Sequence, residues 1–305
     1  MTYSSKFSVL KTIGETPLIK LSKIVPKDAA EVWLKLECFN PTGSYKDRMA
    51  IQVIDEGLRR GLITPSDTLV EYTGGSTGTS LAFVAAAYGM KFIAISSDAF
   101  APSKIKTMIK FGAQVIIEPS YNKGITPELI QRMKIRAMDM ANKADHHYVD
   151  QFGSLEVLNG YIPMGMEMAK EMKGKIDVFC ASIGTGGALM GATKGLNISG
   201  VHPKIIALEP LQSPLISTGK GGAHKVDGIG IGFYPPFLDR TKIHEVQTID
   251  QHDAFNMCEL LAKEEGVFCG TSTGMNVHAA IEIAKKLGNN RKVLTLACDS
   301  GYKYL

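Results

Sequence analysis

One pattern runs through nearly all 305 residues: short apolar runs, each followed by a longer segment with helical periodicity. Strands separated by helices cannot pair through tight hairpins. They pair in parallel, and the helices cover the faces of the sheet. The predicted strands are Val32–Leu36, Thr68–Tyr72, Phe92–Ser96, Gln114–Glu118, Ile176–Ala181, Lys204–Leu208 and Lys292–Ala297. The predicted helices are Lys46–Arg60, Thr77–Tyr88, Ser103–Phe111, Pro127–Lys143, Leu155–Met172, Gly187–Asn197, Gln251–Glu265 and Met275–Leu287. The expected fold is α/β with two domains, each a mainly parallel twisted sheet flanked by helices. A fresh strand–helix series begins near Asp150–Ser154, so the expected division is 1–150 and 151–305, with residues 1–39 also packing on the second domain.

Composition excludes several classes. Net charge is +4 with both signs interspersed, which gives no argument for nucleic acid or an anionic membrane. No stretch approaches the roughly 20 apolar residues of a membrane helix, and Met1–Leu10 has no signal-like apolar core. Cys38, Cys180, Cys258, Cys269 and Cys298 are scattered without C-x-x-C spacing, as expected of reduced thiols in a cytoplasmic protein with no zinc site. Met133, Met138, Met140, Met166, Met168 and Met172 read as core fillers at helical spacing.

The chemistry concentrates at glycine-rich strand–helix junctions. In Asn40-Pro41-Thr42-Gly43-Ser44-Tyr45-Lys46-Asp47-Arg48, proline and glycine force a turn and Ser44 is the expected N-cap. Lys46 then falls in the first helical turn, where the helix dipole disfavours a cation. With burial, that field favours the neutral amine that Schiff-base chemistry requires. Position alone favours a solvated lysine at a helix start, and the other segments decide between the two. In Ile183-Gly184-Thr185-Gly186-Gly187-Ala188 the glycines let backbone N–H groups converge on an anion at a helix N-terminus. A dinucleotide fingerprint would need glycine at Leu189, although Glu209 superficially suits a ribose-binding acid; it reads equally well as a solvated strand-end carboxylate. A single phosphate monoester, without metal, fits better. Thr73-Gly74-Gly75-Ser76-Thr77-Gly78 offers hydroxyls and free N–H groups to a carboxylate, or is a simple capped turn. Gly270-Thr271-Ser272-Thr273-Gly274 and Gly228-Ile229-Gly230 with Gly232 are two further tight segments.

From Ile13 (I-G-E-T-P-L) to the last residue, these segments together resemble the fold-type-II, tryptophan synthase β-like pyridoxal-phosphate enzymes. Within them the chain is similar to the cysteine synthase and cystathionine β-synthase family. N-P-T-G-S-Y-K-D-R resembles the family's cofactor-lysine motif, I-G-T-G-G-A its phosphate loop, and D-G-I-G-I-G-F, G-T-S-T-G and D-S-G-Y-K-Y-L also match. The resemblance implies a pyridoxal 5'-phosphate cofactor held by Lys46, which also moves the substrate α-proton. Gly184, Thr185, Gly186, Gly187 and Ala188 would bind the phosphate and Ser272 the pyridine nitrogen. Ser76 would lie by the cofactor ring and, with Thr73, Gly74, Thr77 and Gln151, bind the substrate carboxylate; Gly228 would lie near its amine. It further implies a smaller mobile domain over about 40–150, a larger cofactor-phosphate domain and a homodimer.

The chain departs from the family in its polar loop, which reads T-G-G-S-T-G, and at Ala188. The family's loop usually reads T-S-G-N-T-G, so Ser76 stands where an asparagine does; Ala188 replaces a threonine. Regulation of the animal cystathionine-synthase type is not expected. A neutral serine at the ring nitrogen makes the cofactor a moderate electron sink, suited to β-elimination and addition. The expected reaction is β-replacement on an activated serine, O-acetylserine-like, with sulfide or a thiol. The alternatives are a cystathionine β-synthase-type reaction, a dehydratase, or a cofactor-binding regulatory homologue with weak turnover. A dehydratase would tend to read S-F-K-x-R-G and G-G-G-G-L, unlike this chain.

Overall fold

The computed structural model describes residues 8–122 and 124–305. The strands are β1 (Leu18–Lys20), β2 (Glu31–Lys35), β3 (Thr68–Tyr72), β4 (Lys91–Ser97), β5 (Gln114–Glu118), β6 (His146–Tyr148), β7 (Val178–Ser182), β8 (Lys204–Pro210), β9 (Glu245–Ile249) and β10 (Lys292–Leu296). The α-helices are α1 (Lys46–Arg59), α2 (Ser76–Tyr88), α3 (Pro102–Lys110), α4 (Pro127–Ala141), α5 (Leu155–Asn159), α6 (Ile162–Glu171), α7 (Gly187–Ile198), α8 (Leu215–Thr218), α9 (Gln251–Leu260) and α10 (Thr271–Leu287).

The chain forms two compact units. Unit 1 contains the described residues up to Ile13, Asn40–Gly160 and Lys303–Leu305; unit 2 contains Gly14–Phe39 and Tyr161–Tyr302. Unit 1 is built on a four-stranded, all-parallel sheet in the order β5-β4-β3-β6. Unit 2 is built on six strands in the order β1-β2-β10-β7-β8-β9, parallel except for the antiparallel edge strand β1. The central strands β3 and β7 are buried along their whole length, as strands covered on both faces must be. The helices that follow them are correspondingly apolar: most of α2 is buried, as is most of α7. Val70, Ile93, Ile95, Leu129 and Met133 centre the core of unit 1. Val32, Leu34, Val178, Ile206, Val293 and the buried face of α10 centre that of unit 2.

The change from unit 1 to unit 2 comes ten residues after the sequence division at 150/151, because α5 packs on α1. Gly160 lies so close to α1 that a Cβ there would fall 2.7 Å from Arg48 O. The helix predicted over Leu155–Met172 is two helices. Pro163, in the first turn of α6, lacks the N–H that would join them. α10 begins four residues before Met275, which brings Ser272 into its first turn. The strands β1, β6 and β9 were not expected. β1 and β6 are three residues long, and edge strand β9 lacks a continuous apolar run. The methionine expectation needs correction at two positions. Met133, Met168 and Met172 are core residues, whereas Met138 and Met166 are 46% and 44% exposed, on the outer faces of their helices.

Candidate active site

In unit 1, the segment preceding α1 is fixed by Asp47. Its buried carboxylate accepts from Thr42 N at 2.8 Å and Thr42 Oγ1 at 2.6 Å, and bonds Ser80 of α2. Burial pushes this carboxyl up; the bonds from Ser80 and Thr42 and the charge of Lys303 pull it down. Gly43 turns the chain at φ +73°, its N–H donating to Asn40 O at 2.7 Å. The N-cap position falls at Tyr45 rather than Ser44 and has no side-chain cap bond; Ser44 Oγ still accepts the N–H of Lys46 at 3.3 Å. Lys46 is thus the first residue of α1, as expected, and half-buried. Its Nζ lies 3.4 Å from Tyr45 Oη and 4.5 Å from the tyrosine ring centroid.

The carboxyl end of β3 runs into the polar loop. Thr73 Oγ1 accepts from both Gly75 N and Gly78 N at 3.1 Å, so the threonine shapes the loop that caps α2. Ser76 and Thr77 open the helix; its N-cap residue, Gly75, has no side chain, and the Thr73 hydroxyl takes the first-turn N–H of Gly78 instead. Gly74 answers to Phe100: a Cβ there would come within 2.5 Å of the phenyl ring, which fills the space the family's serine would need. Gly75 adopts φ +153° against the stem of Lys104. Gln151 is buried, and its Nε2 donates to Tyr72 O at 2.8 Å. Its backbone N–H donates to Glu71 at 2.9 Å, and so does that of Tyr72. Burial pushes the Glu71 carboxyl up to about 8, against the pull of these N–H groups.

In unit 2, the loop after β7 is clamped by its carbonyls. Ile183 O accepts from Gly230 N at 3.2 Å and Thr185 O from Phe237 N at 3.1 Å. Thr185 Oγ1 takes the N–H of Gly187 at 3.2 Å. The N–H groups of Gly184, Thr185, Gly186 and Ala188 donate to no acceptor among the described residues, and the N-cap residue of α7, Gly186, has no side chain. They form a cradle of donors at the positive end of a helix. A Cβ at Gly184 would fall 2.6 Å from Gly228 O, and Gly186 sits at φ +86° with Leu238 N at 2.9 Å from its Cβ position. Ser272, 5% exposed in the first turn of α10, has no hydrogen-bond partner for its hydroxyl among the described residues. Thr271 Oγ1 accepts from Asp227 N at 3.0 Å and so ties the start of α10 to the Gly228 loop. Glu209 is not a solvated carboxylate. It is 3% exposed, and its oxygens accept Ile216 N and Ser217 N at 2.7 and 2.9 Å, capping α8 and leaving no role for a ribose acid.

The profile of the family described as "Pyridoxal-phosphate dependent enzyme" matches residues 9–299. The chain belongs to this family. Similar proteins include a "Probable cysteine synthase" of Bacillus subtilis, 37% identical over 294 residues that cover 96% of this chain and 94% of the relative. Among solved structures, an O-ureido-L-serine synthase superposes with a TM-score of 0.92 at 31% identity, covering 99% of this chain and 94% of the other. A cysteine synthase from Entamoeba histolytica gives 0.91 at 26%, covering 99% and 89%. The fold is the fold-type-II arrangement and the cofactor is pyridoxal 5'-phosphate.

The donor set fits that cofactor. Four unpartnered N–H groups at the start of α7 suit a phosphate monoester, and the buried, unpartnered Ser272 hydroxyl suits a ring nitrogen. The expected residues fall into two groups: Lys46, Thr73, Gly74, Ser76, Thr77 and Gln151 in unit 1, and Gly184–Ala188, Gly228 and Ser272 in unit 2. The supporting residues Asp47, Glu71, Thr271 and Asn276 escaped the sequence reading. Asn276 accepts Ser182 N at 2.7 Å and donates to Leu296 O at 2.9 Å, tying α10 to β7 and β10. A polar residue inside an otherwise apolar run, as at Glu71 and Asn276, is the signal that marks them. No group of side chains suited to a metal occurs among the described residues, and none of their helices is long and apolar enough to cross a membrane.

Proposed function

We propose that the chain catalyses β-replacement on an activated serine, O-acetylserine or a close analogue, with sulfide or a thiol as nucleophile: the cysteine synthase reaction. The observation that carries this reading is the buried Ser272, whose hydroxyl has no hydrogen-bond partner among the described residues. A neutral hydroxyl, unlike a carboxylate, does not stabilise a protonated ring nitrogen. It favours loss of a β-substituent over chemistry that needs a long-lived carbanion.

The cofactor, when bound, withdraws electrons from the substrate α-carbon. Lys46 would hold it through Nζ, and its free amine would act as the base that takes the proton from Cα. The bond from Cβ to the acetate oxygen breaks, the sulfur bonds to Cβ, and Lys46 returns the proton to Cα. Thr73, Gly74, Ser76 and Thr77 hold the substrate carboxylate through backbone N–H groups and hydroxyls, and Gln151 fixes the end of β3 beside them. Gly184–Ala188 hold the phosphate, and Gly228 borders the amine. Ser76, lacking the reach of an asparagine amide, makes this loop the place where donor choice is set. A homodimer in the cytoplasm completes the reading, supported by the resemblance and by five free thiols.

The test is a donor panel of serine, O-acetylserine, O-phosphoserine and cysteine, crossed with sulfide and homocysteine. The expected outcome is a yellow protein that turns over O-acetylserine with sulfide best. Lys46→Ala is expected to lack the band of lysine-bound cofactor and to lose about 10³-fold in rate. A normal band in that variant would refute the role of Lys46, and homocysteine as the better nucleophile would select the cystathionine-forming reaction.

A further inference from the structure

Unit 1 includes the C-terminal residues Lys303–Leu305, whereas Tyr302 belongs to unit 2. Lys303 Nζ donates to Thr42 O at 2.9 Å. Thr42 is therefore gripped from both sides, because its N–H and hydroxyl go to Asp47. The Lys303 charge also acts on Asp47, whose carboxylate bonds Ser80 of α2. The main chain of the tail is held as well, Ser103 Oγ donating to Lys303 O at 3.3 Å. The next residue in α3, Lys104, is 8% exposed and places its Nζ 4.4 Å from the centroid of the Tyr304 ring. Its aliphatic stem packs on Gly75 so tightly that a Cβ there would collide with it. Two consecutive tail residues thus reach both functional loops of unit 1.

We propose that Lys303 and Tyr304 are positioning residues: Lys303 fixes the turn that presents Lys46, and Tyr304, acting through Lys104, fixes the loop that receives the donor carboxylate. An ammonium on a carbonyl is a charge-assisted bond, stronger than a neutral one. Thr42 is four residues from Lys46, so slack in the turn moves the base away from the α-proton, and small misplacements of a base slow proton transfer steeply. The Tyr304 face holds a cation on a flexible stem, and that stem walls one side of the Gly75 turn. The catalytic consequences rest on the β-replacement reading; the bracing does not.

The test compares the cofactor-loaded protein with its Lys303→Met, Lys303→Arg, Tyr304→Leu and Tyr304→Phe variants. Backbone amide exchange is followed over 40–48 and 73–80, together with kcat and KM for O-acetylserine. Lys303→Met is expected to exchange about tenfold faster over 40–48 and to lose about tenfold in kcat with donor KM nearly unchanged, and Lys303→Arg to recover both. Tyr304→Leu is expected to exchange about threefold faster over 73–80 and to raise donor KM by a similar factor with kcat retained, while Tyr304→Phe behaves as the parent. β10 should exchange alike in all five proteins. Parental exchange over 40–48 in Lys303→Met would overturn the proposal, as would failure of arginine to rescue, or faster exchange in β10 as well. Exchange is readable without turnover. If O-acetylserine is not a substrate but the exchange pattern holds, the reaction assignment fails and the bracing stands.

Discussion

Glu71 is the residue whose chemistry is most at odds with its surroundings. It is a fully buried carboxylate in the central strand of unit 1, and each of its oxygens accepts a backbone N–H, from Tyr72 and from Gln151. Through them it fixes both the residue preceding Thr73 and the segment carrying Gln151. Burial raises this carboxyl from 4.5 to about 8, with Asp150 adding to the rise. A carboxyl raised on folding holds its proton more tightly in the folded chain. Its contribution to stability is fully present below 4.5 and is lost as pH rises through about 8. Glu71→Gln removes that slope and turns an amide N–H toward one of the two backbone donors, at about 1–3 kcal/mol. Urea unfolding at about pH 5 and about pH 8.5 should show the parent's advantage over the variant shrinking at the higher pH. A difference independent of pH would show that Glu71 does not change its proton affinity on folding.

At the scale of elements, the junction of β7 with α7 is the proposed seat of the cofactor phosphate. The N–H groups of Gly184, Thr185, Gly186 and Ala188 have no acceptor among the described residues: the loop carbonyls are held by the Gly230 and Phe237 N–H groups, the Thr185 hydroxyl is spent on Gly187, and the N-cap Gly186 has no side chain. Gly186 makes this possible at φ +86°, a conformation that costs an L-residue about 1–2 kcal/mol. Gly186→Val adds that strain and a Cβ 2.9 Å from Leu238 N. The expected result is at least about a tenfold rise in the Kd for pyridoxal phosphate, read by titrating the apo protein, with the fold retained. Unchanged affinity would remove the loop from the phosphate site. The glycines of this junction were legible in the sequence because each is a backbone requirement written in one letter. Phe100 was not: its effect on Gly74 crosses 26 residues, from the end of β4 to the end of β3.

At the scale of the molecule, unit 2 is assembled from segments far apart in the chain, Gly14–Phe39 and Tyr161–Tyr302. Lys35 is a rivet between them. It is completely buried in β2, bonded to Thr16 O at 2.6 Å and paired with Glu167 at 3.0 Å and Glu171 at 2.5 Å on α6. Lys35→Ala leaves a buried carbonyl and two partly shielded carboxylates without their cation. A loss of about 3 kcal/mol is expected from the shift in urea midpoint. A loss below about 1 kcal/mol would mean that solvent screens the cluster. By itself the sequence determined the parallel α/β architecture and singled out Lys46 and the Gly184–Ala188 loop for the proposed cofactor roles, because strand–helix alternation and glycine junctions are local requirements. Only the tertiary structure decided the shared burial of Glu71 with Gln151, the pressure of Phe100 on Gly74, and the grip of Lys303 on Thr42. Each joins residues that only the packed sheets and helices bring together, and no local pattern records a contact of that kind.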